Sequence, residues 1–321
     1  MEKQAEVRSL RTRVGISVQP ADPATLVANL VEIEEAGVDH AWVAFGPLGY
    51  PDVLTTLAAA AARTSRLKLG TSIIQITSRH PVLMAQQVMS LTRLAPGRLK
   101  LGIGGTGLAQ MAKSFYGVDM DAPLAYLREY IQVLRPLLAQ GEVHHRGHYF
   151  TVDASISGTA QVPLFVSALG AGAFRFAGEV ADGALPFIAP IPYLLNTALP
   201  ALSAGAAAAG RPRPPVVAHV SVALTEDRAS ALQAGRQALS IYPTLPAYRN
   251  MLISAGFTEQ DTNQVSDRLI EGLLVFGDED RIRERVLEML ATEIDALALS
   301  LVPVSGAAQE HIRLARLVGR L

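Results

Sequence analysis

The chain has 321 residues, half of them apolar, enough to bury one barrel-sized core or two smaller ones. Its 28 lysines and arginines against 29 aspartates and glutamates leave a net charge of −1 with no long run of one sign, which removes the electrostatic case for nucleic acid or an anionic membrane and favours a small-molecule partner. The absence of cysteine excludes disulfides, thiol catalysis and cysteine-held metal, and fits a reducing, cytoplasmic setting.

Residues 1–12 are polar and mixed in charge, without a signal-like apolar segment, and are expected to be a flexible lead-in to a single domain over 13–321. No later run reaches membrane-spanning length. From there short β-rich runs alternate with longer helical ones. Strands are expected at 13–18, 39–45, 67–74, 98–103, 164–168, 183–185, 216–224 and 296–301, several of them continuously apolar as strands buried on both faces should be. Between them, 23–36 places Leu26, Leu30 and Ile33 at helical spacing and stops at Gly37, 52–63 is rich in alanine and leucine, and Pro81 stands in a favourable first-turn position. Eight strand–helix units in about 300 residues predict an α/β fold of the (β/α)8 barrel type. A doubly wound sheet would have fewer strands split into halves.

Two segments exceed the bare barrel. Residues 141–153 alternate around Arg146-Gly147 as an inserted β-hairpin would. Residues 225–276 form a long, mostly helical insertion before the last strand, broken at Pro243, Pro246 and Gly256, where barrel enzymes add substrate-facing structure.

The glycine-rich strand ends carry the chemistry. Gly104-Gly105-Thr106-Gly107 and Leu169-Gly170-Ala171-Gly172-Ala173 each follow a strand and precede a helical run, where backbone N–H groups and the helix dipole favour an anion such as a cofactor phosphate. Ala168 leads into the second of them. Residues 102–107 also satisfy G-x-G-x-x-G, but the fourth strand is an odd place for a dinucleotide fingerprint. His144, His145 and His148 invite a zinc reading; neighbouring residues on a strand point to opposite faces, so a solvated hairpin is preferred. Asp278-Glu279-Asp280 precedes a helical run and reads as its cap.

Leu69-Gly70-Thr71-Ser72-Ile73, Arg79-His80-Pro81, the run 97–104, Ala168-Leu169-Gly170 and the run 177–183 together resemble the bacterial luciferase-like superfamily, in its deazaflavin branch. The resemblance spans about 14–303 and implies a (β/α)8 barrel that binds coenzyme F420 or, alternatively, FMN. It also implies a non-prolyl cis peptide at the end of the third strand, which falls here at Ser72–Ile73. Thr71, Ser72, Ile73 and His80 are then cofactor-side, although His80 reads equally as a helix cap.

After the second strand many relatives carry an acidic residue and a histidine; here Phe45 and Gly46 stand instead, so the usual acid–base pair is missing. Hydride delivery would then rest on proximity and orientation. By position, Ser17, Gln19 and Phe45 are expected to face the substrate, Gln75 to hydrogen-bond a conjugated carbonyl, and Tyr50 or Tyr116 to supply a proton. The expectation is an F420H2-dependent reductase of an activated C=C or C=N bond in a small molecule or modified peptide. The alternatives are an FMN-dependent monooxygenase and a cofactor-binding barrel without catalysis. A homodimer is expected to pair through the apolar faces of 57–62 and 82–91.

Overall fold

The computed structural model describes residues 10–19, 22–44, 51–105 and 109–321. Twelve strands follow in order: β1 Val14–Val18, β2 His40–Ala44, β3 Lys68–Ser72, β4 Ile74–Gln75, β5 Leu99–Gly104, β6 Glu142–Arg146, β7 Thr151–Ser155, β8 Leu164–Ser167, β9 Gly183–Leu185, β10 Val217–Ala223, β11 Leu274–Phe276 and β12 Ala296–Leu301. All eight expected barrel strands are present. They pair in parallel in the order β10-β12-β1-β2-β3-β5-β8-β9, and single bridges Ala184↔Val216 and Phe187↔His219 bring β9 back to β10. The ring of eight is thereby closed, and the (β/α)8 class holds.

Period-two alternation sorts each strand into an outer and an inner face. Outward residues such as Ile16, Val43, Leu69, Leu101, Val166 and Leu299 join the large core beneath the helices, whereas Trp42, Phe165, Leu185, Val217 and Ala298 fill the barrel itself. Trp42 and Phe165 meet edge to face at 5.3 Å. Room for the two rings comes from Gly70 and Gly183, where a Cβ would strike the indole of Trp42 and the ring of Phe165 respectively.

The helices begin where the sequence supplies caps. Asp22 caps Pro23–Glu35, Asp52 caps Val53–Arg63, and Asp278 caps Glu279–Leu290 by accepting from Arg281 N at 2.8 Å. No helix of the described residues is long and apolar enough to cross a membrane.

Two expectations need correction. The insertion at 225–276 is helical only as far as Leu273: its last three residues are β11, which pairs with the upper end of β10 through Ser221↔Leu274 to Ala223↔Phe276. The barrel wall therefore forks, with β9 beside the lower part of β10 and β11 beside the upper. Most of the face expected to pair two copies is consumed within one: Leu57, Ala60, Met84, Ala85 and Val88 are fully buried in the chain's own core, leaving Leu83 outward, with Leu94 exposed just beyond the expected face.

The hairpin β6–β7 forms around residues 147–150, held by one carboxylate. Glu129 accepts from the backbone N–H groups of His148, Tyr149 and Phe150 at 2.9, 2.9 and 3.2 Å. Two of its histidines have acidic partners, His144 with Asp153 at 3.0 Å and His145 with Glu129 at 3.5 Å.

Candidate active site

The C-terminal ends of the parallel strands form the mouth, the side on which barrel enzymes assemble their sites. Alternation turns small polar side chains inward here. Ser17 of β1 stands in register with Trp42 of β2 and Ser300 of β12, and Ser300 in turn with Ser221 of β10. Gln19 follows at the rim, where its Nε2 donates to Ser300 Oγ at 3.1 Å. Ser17 is 3% exposed, and its hydroxyl has no hydrogen-bond partner among the described residues. A buried orphan hydroxyl at a barrel mouth is suited to a ligand that completes it.

The peptide between Ser72 and Ile73 is cis, at the position the family resemblance implied, and β3 is interrupted there before β4 resumes beside β5. Across the barrel, His219 of β10 reaches this break. Its Nδ1 lies 3.2 Å from the Pro186 carbonyl, which places the ring proton on that nitrogen, so Nε2 accepts from the Ser72 hydroxyl at 2.8 Å. Burial pushes the imidazole down to about 4, so it is neutral at physiological pH. Trp42 and Phe187 flank the ring edge to face at 6.5 and 5.4 Å. The Ser72 oxygen, half-buried, keeps its lone pairs for a ligand.

Thr71 faces away. Its hydroxyl accepts from Gly102 N and donates to Gly102 O, both at 2.8 Å and fully buried, so it ties β3 to β5. Gln75 pairs in register with Gly104, and a Cβ on Gly105 (φ +97°) would lie 3.3 Å from its Cγ. A Cβ on Gly104 would strike the Ser167 hydroxyl, so glycine lets the two strand ends close up. Gln75, Gly104 and Gly105 thus stand together. Thr106, Gly107, Phe45 and Tyr50 lie outside the described residues.

The second glycine segment has the opposite character. Gly170 is the N-cap of helix Ala171–Val180 and offers no side-chain cap, so the N–H groups of Ala171 and Gly172 are left open, while Ala173 N donates to the Gly170 carbonyl at 2.9 Å. Side chains at Gly170 or Gly172 would meet nothing within 4 Å. Just before them, Ala168 is buried and the Leu169 carbonyl accepts from Tyr193 Oη at 2.7 Å, fixing the approach to the helix. The arrangement fits a phosphate-bearing ring cofactor: an open anion-binding helix start, exposed backbone beside it, and a polar ring with an unsatisfied hydroxyl at the centre.

Two further expected residues lie at the helices that follow β4 and β5. His80 caps Pro81–Leu94 by accepting from Val82 N at Nδ1, 3.3 Å, and packs against Phe150 at 5.6 Å. Tyr116 ends the helix Ala109–Tyr116 and is 36% exposed. Conversely, sequence reasoning passed over His219, Ser167, Ser221 and Ser300. The available signal was polar residues at period two inside apolar strands, as in Val217-Ala218-His219-Val220-Ser221.

With this geometry in view, the luciferase-like monooxygenase family matches residues 8–296, and the chain belongs to that family. An F420-dependent glucose-6-phosphate dehydrogenase from Kineococcus radiotolerans is 33% identical over 232 residues, covering 68% of this chain and 69% of the relative. A 5,10-methylenetetrahydromethanopterin reductase from Methanopyrus kandleri is 27% identical over 314 residues, covering 86% and 88%. The solved structure of an F420-dependent secondary alcohol dehydrogenase with an F420–acetone adduct is similar at a TM-score of 0.80 and 19% identity, covering 96% and 97%, which is a likeness of fold.

Proposed function

We propose that the chain is an oxidoreductase that binds coenzyme F420 at the barrel mouth and reduces an activated C=C or C=N bond of a small molecule or modified peptide. The observation that carries this reading is the open helix start at Gly170-Ala171-Gly172 above a neutral polar mouth, in a chain whose relatives include F420-dependent enzymes. When bound, the reduced deazaflavin supplies a hydride. The N–H groups of Ala171 and Gly172 would hold its phosphate, with Ser72, Ile73 and Gly104 against the ring and His219 keeping Ser72 in place. Ser17 and Gln19 would contact substrate, and Gln75 would orient a polarising carbonyl. The described mouth residues are hydroxyls, amides and a neutral imidazole, which suits an uncharged electrophile better than a sugar phosphate. The proton would come from Tyr50, Tyr116 or water at the mouth. Two copies would have Leu83 and Leu94, 47% and 50% exposed, available for contact.

The test is titration of the apo-protein with coenzyme F420 and, separately, FMN, followed by fluorescence and by reoxidation in air. Preference for the deazaflavin, at least tenfold weaker in Gly172→Phe, is expected. Preference for FMN would move the assignment to the monooxygenase alternative, and binding of neither to a barrel without redox chemistry.

A further inference from the structure

The opposite, N-terminal end of the barrel holds charges that the mouth does not use. Lys68 opens β3 and is exposed; Lys100, the second residue of β5, points inward and is partly buried. Its Nζ lies 5.7 Å from the centroid of Trp42 and 5.9 Å from that of Phe165, beneath the rings that fill the barrel. Register places the two lysines on adjoining strands, through Gly70↔Lys100, and sets His40 of β2 opposite Lys68. His40 is hydrogen-bonded to the Thr12 backbone.

Among the described residues neither ammonium forms a hydrogen bond or an ion pair, although the same end of the barrel is rich in carboxylates. The three aspartates that precede strands are committed elsewhere. Asp39, before β2, meets Arg66 at 3.7 Å; Asp182, before β9, meets Arg135 at 3.1 Å and Arg211 at 3.5 Å; Asp295, before β12, meets Arg213 at 2.8 Å. Backbone N–H groups of Leu164 and Val216 occupy Asp182 and Asp295 further. The lysines therefore face the barrel axis with each other as charged neighbours. Burial, and then Lys68, bring the Lys100 ammonium down to about 8; burial, and then the two lysines, bring His40 down to about 3. Ring faces take up part of the Lys100 charge but leave like charges opposed.

We propose that Lys68 and Lys100 form a binding site for a small oxyanion of the phosphate class at the base of the barrel, remote from the mouth. Two flexible ammonium groups suit a compact multivalent anion approached from the open end of β3. The rings of Trp42 and Phe165 close the site above.

Thermal unfolding in inorganic phosphate, against sodium chloride of equal ionic strength, tests this in the wild type, Lys68→Met and Lys100→Met. Phosphate is expected to raise the wild-type midpoint by several degrees and to lose that effect in both variants. Since the mouth could also take phosphate, a local readout accompanies it: acetylation by an N-hydroxysuccinimide ester, followed residue by residue. Phosphate should slow Lys68 at least threefold and leave Lys113, which is paired with Asp119, unchanged. Protection by glycerol phosphate as well would identify the ligand as a phosphoryl group on a metabolite, and protection by inorganic phosphate alone would identify the free anion. An equal rise in midpoint in all three proteins, or equal protection of Lys113, would overturn the proposal.

Discussion

His219 shows how much one residue can hold. It reaches from β10 to Ser72 on the far side of the barrel and is kept neutral by burial. Its pKa in the folded chain lies below the ordinary 6.5, so the unfolded chain takes up the proton first as pH falls. Stability is present above pH 6.5 and is lost between 6.5 and about 4, below which both states are protonated. From pH 7 to 5 the loss is about 2 kcal/mol for this histidine, with a similar share from His40. Carboxylates lowered in the fold, such as Asp52 and Glu34, act mainly below their ordinary values of 3.8 and 4.5, so this window isolates the histidines. Urea unfolding of His219→Gln at pH 7 and pH 5 should show a decline about 2 kcal/mol smaller than the wild type's, since His40, His80 and His311, also lowered by burial, keep their shares; an unchanged decline would place the effect elsewhere. His219 could have been noticed in the sequence, since a polar residue in a strand buried on both faces needs a partner. What no spacing reveals is which one, because Ser72 lies 147 residues away.

Among the elements, helix Ala171–Val180 is the informative one, since it begins without a side-chain cap while several others have one. An aspartate at Gly170 would fit the extended backbone there, φ −83° and ψ 160°, and cap the first turn. Gly170→Asp should therefore stabilise the protein by about 0.5–1 kcal/mol and weaken F420 binding more than tenfold, because the new carboxylate occupies the N–H groups and repels the phosphate. Calorimetry and fluorescence titration of one sample read the two signs. If both move in the same direction, the helix start is not the anion site. Most elements were legible: eight apolar runs became eight strands, and proline or aspartate marked the helix starts. β11 was not, because three residues are too few to show a period and nothing breaks the chain between Leu273 and Leu274. The break after Ser72 was legible only through family resemblance, since no residue type there demands it.

At the scale of the whole molecule, the ring is unevenly closed. β1 shares four register pairs with β12 and three with β2, whereas β9 meets β10 through two single bridges, with β11 taking over higher up. Native-state hydrogen exchange is expected to show the amides of 183–187 opening at lower free energy than those of β1 and β12. Equal protection around the ring would refute a weak seam. The lower barrel, by contrast, is packed solid by Trp42, Phe165, Leu185 and Val217. Among the described residues this plug closes the barrel from below, which makes the molecule a vessel rather than a passage. Two ligands stacked above such a floor would bind in an order set by depth as well as by affinity, the deeper one entering first and leaving last.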